Sequence, residues 1–167
     1  MHDELTPGDI QKMKEEIEHR IKVLRPQLMA EVKRTREYGD LSENYEYKAA
    51  KQEKNRNESR IRYLQQMIDT AIVVEKSGTT DTVGLFDRVT VYIPEDDEEQ
   101  VFQIVTTVRV NALKGIISKE SPIGRALMGR RVGDTVNVRV NESYSYDMEI
   151  RAIEKGEDDG EIPINRF

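Results

Sequence analysis

Asp40 and Glu43 stand three residues apart in the stretch Gly39-Asp40-Leu41-Ser42-Glu43-Asn44. Two carboxylates so placed suit a hard cation, since Mg2+ accepts one or two carboxylates and keeps water elsewhere in its shell. A metal ion held in this way can activate water for attack on a phosphodiester. The same Asp-x-x-Glu spacing also fits a helix-capping box, with Ser42 as an alternative N-cap. Which reading applies depends on the elements that carry the pair.

The stretch interrupts two heptad patterns. Thr6-Pro7 reads as an N-cap and first helical position, because the threonine oxygen accepts an orphan amide and proline has no N–H to leave unsatisfied. Ile10, Met13, Ile17, Ile21, Leu24, Leu28 and Val32 then recur at spacings of three and four, the pattern of a coiled-coil seam. Pro26 lies inside it and should bend that helix or loosen its hydrogen bonding. After the break, Tyr47, Ala50, Lys54, Asn57, Ile61, Leu64 and Ile68 keep the same rhythm. Similar seams joined by a short break predict an antiparallel helical hairpin over residues 1–76 with an acidic tip at 39–44. Lys54 and Asn57 are polar at seam positions, which costs stability but fixes register. At ~1.5 Å per residue, the helices would hold the tip carboxylates about 45 Å from the rest of the molecule, where they serve a site in another body.

Charge follows the same division. Residues 1–76 hold 15 Lys/Arg against 15 Asp/Glu, and residues 77–167 hold 11 against 17. Directly behind the acidic break, Lys48, Lys51, Lys54, Arg56, Arg60 and Arg62 face only Glu53 and Glu58. Such a stretch is either the solvated face of a coiled coil or a surface that contacts phosphates.

From Ser77-Gly78-Thr79-Thr80-Asp81-Thr82, which reads as a linker, the period drops to two. Val89, Val91 and Ile93 alternate with polar residues, and Phe102, Ile104 and Val108 follow an acidic turn at Glu95 to Glu99, as in a hairpin. Ser121-Pro122 opens a short helix to Gly129, and strands follow at Thr135 to Val140 and Tyr144 to Ile153. The predicted class is α+β: the coiled-coil hairpin, then a small antiparallel sheet with one short helix over 77–154. Residues 155–167 read as an acidic, loose tail, apart from docking by Ile162, Ile164 or Phe167.

Composition narrows the chemistry. The chain has no cysteine and only His2 and His19, so disulfides, thiolate metal sites and cysteine nucleophiles are excluded and histidine catalysis is poorly supplied. No apolar run approaches the ~20 residues of a membrane span. The N-terminus lacks the basic and apolar regions of a secretory signal, so a cytoplasmic location is expected.

Gly39-Asp40-Leu41-Ser42-Glu43-Asn44, with Glu46-Tyr47 and Ala49-Ala50-Lys51, resembles the tip of the Gre family of bacterial transcript-cleavage factors. Ile117-Ser118, Ser121-Pro122-Ile123, Arg125-Ala126-Leu127-Met128-Gly129 and Val132-Gly133-Asp134 resemble the C-terminal domain of that family, so the likeness runs over roughly residues 5–154. The resemblance implies an FKBP-like C-terminal domain that docks on bacterial RNA polymerase, and a coiled coil that enters the secondary channel. It implies a monomer that does not cut RNA alone, but stimulates Mg2+-dependent hydrolysis of the 3′ end of backtracked nascent RNA by the polymerase. Carried over, Asp40 would help hold Mg2+ and Glu43 would orient the attacking water. The ion would be bound in the polymerase active site, shared with it, and not held tightly by this chain alone. Ser42, Asn44 and Tyr47 would contact polymerase or RNA, Arg36, Lys48 and Lys51 would form a basic patch, and Ser121 and Pro122 would dock on polymerase, although a helix-opening Ser-Pro explains the last two as well.

Two residues depart from the family pattern. Tyr45 adds an aromatic that either stacks on a base or packs against the hairpin, packing being the simpler expectation. Gly124 should weaken its short helix slightly. Three other functions compete: a channel-binding regulator without cleavage, a prolyl isomerase and a plain coiled-coil adaptor. Asp40 and Glu43 argue against the first and last, and scarce aromatics in the second half argue against the isomerase.

Overall fold

The computed structural model describes residues 3–37, 44–75 and 79–166, which form two compact units. Ile10–Ala71 belong to one, and Glu4–Asp9 with Ile72–Phe167 belong to the other. The sequence reading assigned every N-terminal residue to the hairpin. Glu4–Leu5 (β1) instead pairs in parallel with Ile72–Val73 (β2), so the first residues belong with the second unit.

The first helix, α1 (Pro7–His19), starts where its sequence predicts. Thr6 Oγ1 accepts the Asp9 N–H at 3.1 Å, and the Asp9 carboxylate accepts the Thr6 N–H at 2.9 Å, a reciprocal capping box with Asp in the third helical position. Helical geometry then widens at Arg20–Leu24 into a π-type turn, in which the Arg25 N–H donates to the Arg20 carbonyl, before α2 (Arg25–Arg36). The expected loosening at Pro26 takes this form: proline offers no N–H to the carbonyl four residues back, so the turn before it widens. The extra residue rotates the seam and leaves Ile21 38% exposed.

Helix α3 (Tyr45–Thr70) buries Ala50, Asn57, Ile61 and Leu64. Partners on α3 and its cap descend the chain as those on the first helical arm ascend: Glu16 meets Arg60, Arg25 meets Glu58 and Thr35 meets Asn44, which is antiparallel pairing. Asn57 fixes the register as expected. Its Nδ2 donates to the Arg20 carbonyl at 3.2 Å, and its Oδ1 accepts Arg20 Nη1 at 3.0 Å. Glu16 adds a second pin by accepting Arg60 Nε at 2.8 Å and Arg20 Nε at 2.7 Å.

The second unit is built on a five-stranded sheet ordered β5-β4-β3-β7-β6, from β3 (Arg88–Ile93), β4 (Glu98–Val105), β5 (Ile116–Ser118), β6 (Thr135–Arg139) and β7 (Ser145–Glu154). Alternation puts Val89, Val91 and Ile93 inward against Phe102, Ile104, Val136, Val138, Met148 and Ile150, and α4 (Pro122–Leu127) adds Leu127 to this core. The expected wholly antiparallel sheet is corrected to a mixed one. Strand β5 runs parallel to β4, because the chain leaves β4 through two short helical turns, Thr107–Arg109 and Ala112–Lys114, instead of a tight hairpin. Among the described residues, no helix is long and apolar enough to cross a membrane.

Candidate functional site

Asp40, Ser42 and Glu43 lie outside the described residues, whereas Arg36, Asn44, Tyr47, Lys48 and Lys51 lie within them. Asn44 is the N-cap of α3: its Oδ1 accepts the Tyr47 N–H at 2.9 Å, and its Nδ2 donates to the Thr35 carbonyl at 2.6 Å. The sequence reading offered Asp40 or Ser42 as caps for this helix. The cap that forms is the last polar residue before the first helical one, so neither carboxylate is needed to start α3. Thr35 is itself buried, and its hydroxyl donates to the Glu31 and Val32 carbonyls at 2.9 and 3.1 Å. One side chain thereby closes the base of the segment that contains Asp40 and Glu43.

Cations and tyrosines gather behind this closure. Arg36 Nη2 donates to the Tyr47 hydroxyl at 3.3 Å, and its guanidinium stands 5.7 Å from the centre of the Tyr47 ring. The hydrogen bond from Arg36 holds the Tyr47 phenol below its ordinary pKa, burial opposes this, and the charges of Arg36, Lys51 and Lys54 reinforce it. Arg36, Tyr47 and Lys51 are thus brought together, while Lys48 Nζ lies 5.6 Å from the centre of the Tyr45 ring. Farther along α3 the basic stretch serves the hairpin: Arg56 pairs with Glu53 at 2.6 Å, Arg60 with Glu16, and Glu58 is held by Arg25 at 2.8 Å. Lys48, Lys51 and Lys54 make no ion pair among the described residues. The phosphate-contacting reading therefore contracts to the end of the hairpin nearest Asp40 and Glu43. Tyr45 departs from the packing expectation and is 80% exposed.

Ser121 and Pro122 stand at the N-terminus of α4. Ser121 Oγ accepts the Gly124 N–H at 3.0 Å and donates to the Ser118 carbonyl at 2.6 Å, while Pro122 is exposed. Ser121 is thus engaged within its own unit, and Pro122 is the exposed member of the pair. A Cβ on Gly124 would lie 2.1 Å from the Ser118 carbonyl oxygen, so glycine there permits close backbone approach rather than merely weakening a helix. Phe86 and Phe102 are buried in the core, which leaves few aromatics for a proline-binding pocket.

An ionic cluster in the second unit escaped sequence reasoning. Arg109 is buried, pairs through Nε with Asp9, and places Nη1 and Nη2 at 2.8 and 2.6 Å from the two Asp158 oxygens. Thr106 Oγ1 donates to Asp9 at 2.8 Å. The tail is held here and at two further points, where the Asn165 N–H donates to the Val108 carbonyl at 2.7 Å and the Gly156 N–H to Asp87 at 3.0 Å. The sequence reading took Thr6 as an N-cap but gave no role to Asp9 or Arg109. Arg109 lies 100 residues from Asp9 and 49 from Asp158, beyond any local pattern.

Comparison with known proteins gives consistent matches over both units. A family model described as transcription elongation factor, N-terminal, matches residues 4–73, and one described as transcription elongation factor, GreA/GreB, C-term, matches residues 78–155. Transcription elongation factor GreA of Mesoplasma florum is 37% identical over 146 residues, covering 86% of this chain and 94% of that protein. The protein of the same name from Staphylococcus carnosus is 36% identical over 150 residues, covering 90% and 94%. The crystal structure of Thermus aquaticus Gfh1 aligns with 27% identity over 92% of this chain and 99% of that one, at a TM-score of 0.42.

Proposed function

The chain belongs to the GreA/GreB family of transcription elongation factors, and from that premise we propose that it lends Asp40 and Glu43 to the active site of a bacterial RNA polymerase. It enters through the secondary channel and stimulates the polymerase to hydrolyse the 3′ end of backtracked RNA, which returns arrested complexes to elongation. The observation that carries the reading is the closed hairpin base. Asn44 caps α3 and bridges to Thr35, leaving Asp40 and Glu43 of the intervening segment without a capping duty at α3.

The donor chemistry fits Mg2+, because two carboxylates match the number that this ion takes from protein and leave the rest of its shell to water and other ligands. Asp40 would hold the ion, and Glu43 would orient the attacking water and receive its proton. When bound, Mg2+ would lower the pKa of coordinated water and neutralise charge that develops on the phosphate. Arg36, Lys48, Lys51 and Lys54 would attract the phosphates of the extruded strand toward the acids. Pro122, exposed beside the Ser121 cap, is the residue of that pair available for docking on the polymerase.

The direct test uses stalled, backtracked bacterial elongation complexes with 5′-labelled RNA. Added protein should shorten the RNA in the presence of Mg2+, and the remaining complexes should resume synthesis when nucleotides are supplied. Slowed nucleotide addition without shortening would reject the cleavage role in favour of a channel-binding regulator.

A further inference from the structure

Tyr45 is the first residue of α3, two residues after Glu43 in the sequence, and it is 80% exposed. An aromatic ring so placed is poorly explained by folding, because most of its apolar surface stays in water. Its neighbours indicate what could cover it. Lys48, one helical turn on, places its ammonium 5.6 Å from the ring centre, a cation–π contact that biases the ring toward one orientation. Arg36, Lys51 and Lys54 lie around the neighbouring Tyr47. Glu46, the next residue in the sequence, stands 3.9 Å from Arg34, and Glu53 pairs with Arg56. An exposed ring beside lysines that make no ion pair among the described residues has the composition of a single-strand nucleic-acid platform: π-surface for a base and cations for the flanking phosphates.

We propose that Tyr45 stacks on a base near the 3′ end of the extruded RNA, with Lys48 fixing the ring and engaging the adjoining phosphate. This rests on the transcript-cleavage reading above, and adds to it a residue that selects how the RNA lies relative to Asp40 and Glu43. RNA is favoured over a protein surface because the charge around the ring is basic and suited to phosphate. Stacking is tolerant of sequence but stronger for purines, which carry the larger π-face. The ring, with only two side-chain torsions to fix, loses little entropy on engagement.

The test uses the full chain, reconstituted backtracked polymerase complexes, and RNAs that end in either a purine or a pyrimidine. At saturating factor, Tyr45→Ala should slow cleavage on the order of tenfold, more for purine-ended RNA, and Tyr45→Phe should restore it. Competition against labelled wild type should show that Tyr45→Ala still binds polymerase. RNA with 4-thiouridine near its 3′ end should photo-crosslink to the peptide that contains Tyr45 and Lys48. Wild-type cleavage matched by Tyr45→Ala on both RNAs, or crosslinking of the RNA to polymerase protein alone and not to this peptide, overturns the stacking role and leaves the cleavage reading standing. Absence of cleavage by wild type removes both.

Discussion

Asn44 ties the ends of the two hairpin helices together, donating from Nδ2 to the Thr35 carbonyl at 2.6 Å while its Oδ1 caps the Tyr47 N–H at 2.9 Å. Both halves of the amide are used, so substitutions should separate them. Asn44→Asp keeps the acceptor and loses the donor to Thr35, whereas Asn44→Ala loses both. Helical stability, read from urea unfolding at 222 nm, should fall by about 1–2 kcal/mol in Asn44→Ala and by roughly half of that in Asn44→Asp. Equal losses in the two variants would show that the Thr35 bond, rather than the cap, carries the effect.

Gly124 offers a second separation. Alanine is favoured over glycine in a helix by about 1 kcal/mol, but its Cβ would sit 2.1 Å from the Ser118 carbonyl oxygen. Backbone must move to admit it, and overpacking of this kind costs about 1–3 kcal/mol. Gly124→Ala should therefore lower the melting temperature of the second unit in a calorimetric scan. A raised melting temperature would mean that propensity outweighs the clash.

Arg109 should be the most sensitive charged position in the second unit. Arg109→Ala leaves Asp9 buried without its ionic partner, a loss of about 3–5 kcal/mol when one member of a buried pair is removed. Asp158 retains 21% side-chain exposure, so Asp158→Ala should cost less and act mainly by releasing the tail. Hydrogen exchange at the Asn165 amide should accelerate in both variants. Similar calorimetric losses for Arg109→Ala and Asp158→Ala would contradict the ranking.

The hairpin should weaken in acid. Burial alone would raise the Glu16 carboxyl, but hydrogen bonds from Arg60 and Arg20, with their charges, bring it below the ordinary carboxylate value of 4.5. Arg25 acts on Glu58 in the same direction through its hydrogen bond. A carboxylate with a depressed folded pKa stabilises the fold above its unfolded pKa, and the contribution is lost as pH falls through the folded value. The urea midpoint of the helical signal should therefore drop from about pH 4.5 downward. In Glu16→Gln, the midpoint should be lower at pH 7, and the difference between pH 7 and pH 3.5 should be smaller. An unchanged difference would show that Glu16 does not report the acid effect.

What could be read in advance was what is local or periodic. The 3-4 spacing located both helices, Pro26 announced a loosened turn but not its π-type form, and Asn57 announced itself as a polar residue in an apolar seam. Asn44 was harder, because Asp40 and Ser42 are equally good capping types within a few residues and only the true first turn of α3 decides among them. The parallel pairing of β5 with β4 spans three residues, too few for a pattern. Neither the pairing of β1 with β2 nor the Arg109 cluster has a local signature, since both join segments far apart in the chain. Of the candidate tip residues, Arg36, Tyr47 and Lys51 are brought together, Lys48 is drawn to Tyr45, and Asn44 proves to be a structural clasp.

In the proposed function, Asp40 and Glu43 act in a site that belongs to the polymerase. The decisive measurement is the single-turnover cleavage rate of backtracked RNA, at saturating factor and varied Mg2+, for wild type, Asp40→Asn and Glu43→Gln, with polymerase binding checked by competition. Asp40→Asn should bind like wild type yet cleave no faster than polymerase alone at low Mg2+, regaining part of the rate as Mg2+ rises. Glu43→Gln should remain slow at every Mg2+ concentration. Cleavage by Asp40→Asn at the wild-type rate and with the wild-type Mg2+ dependence would contradict the account.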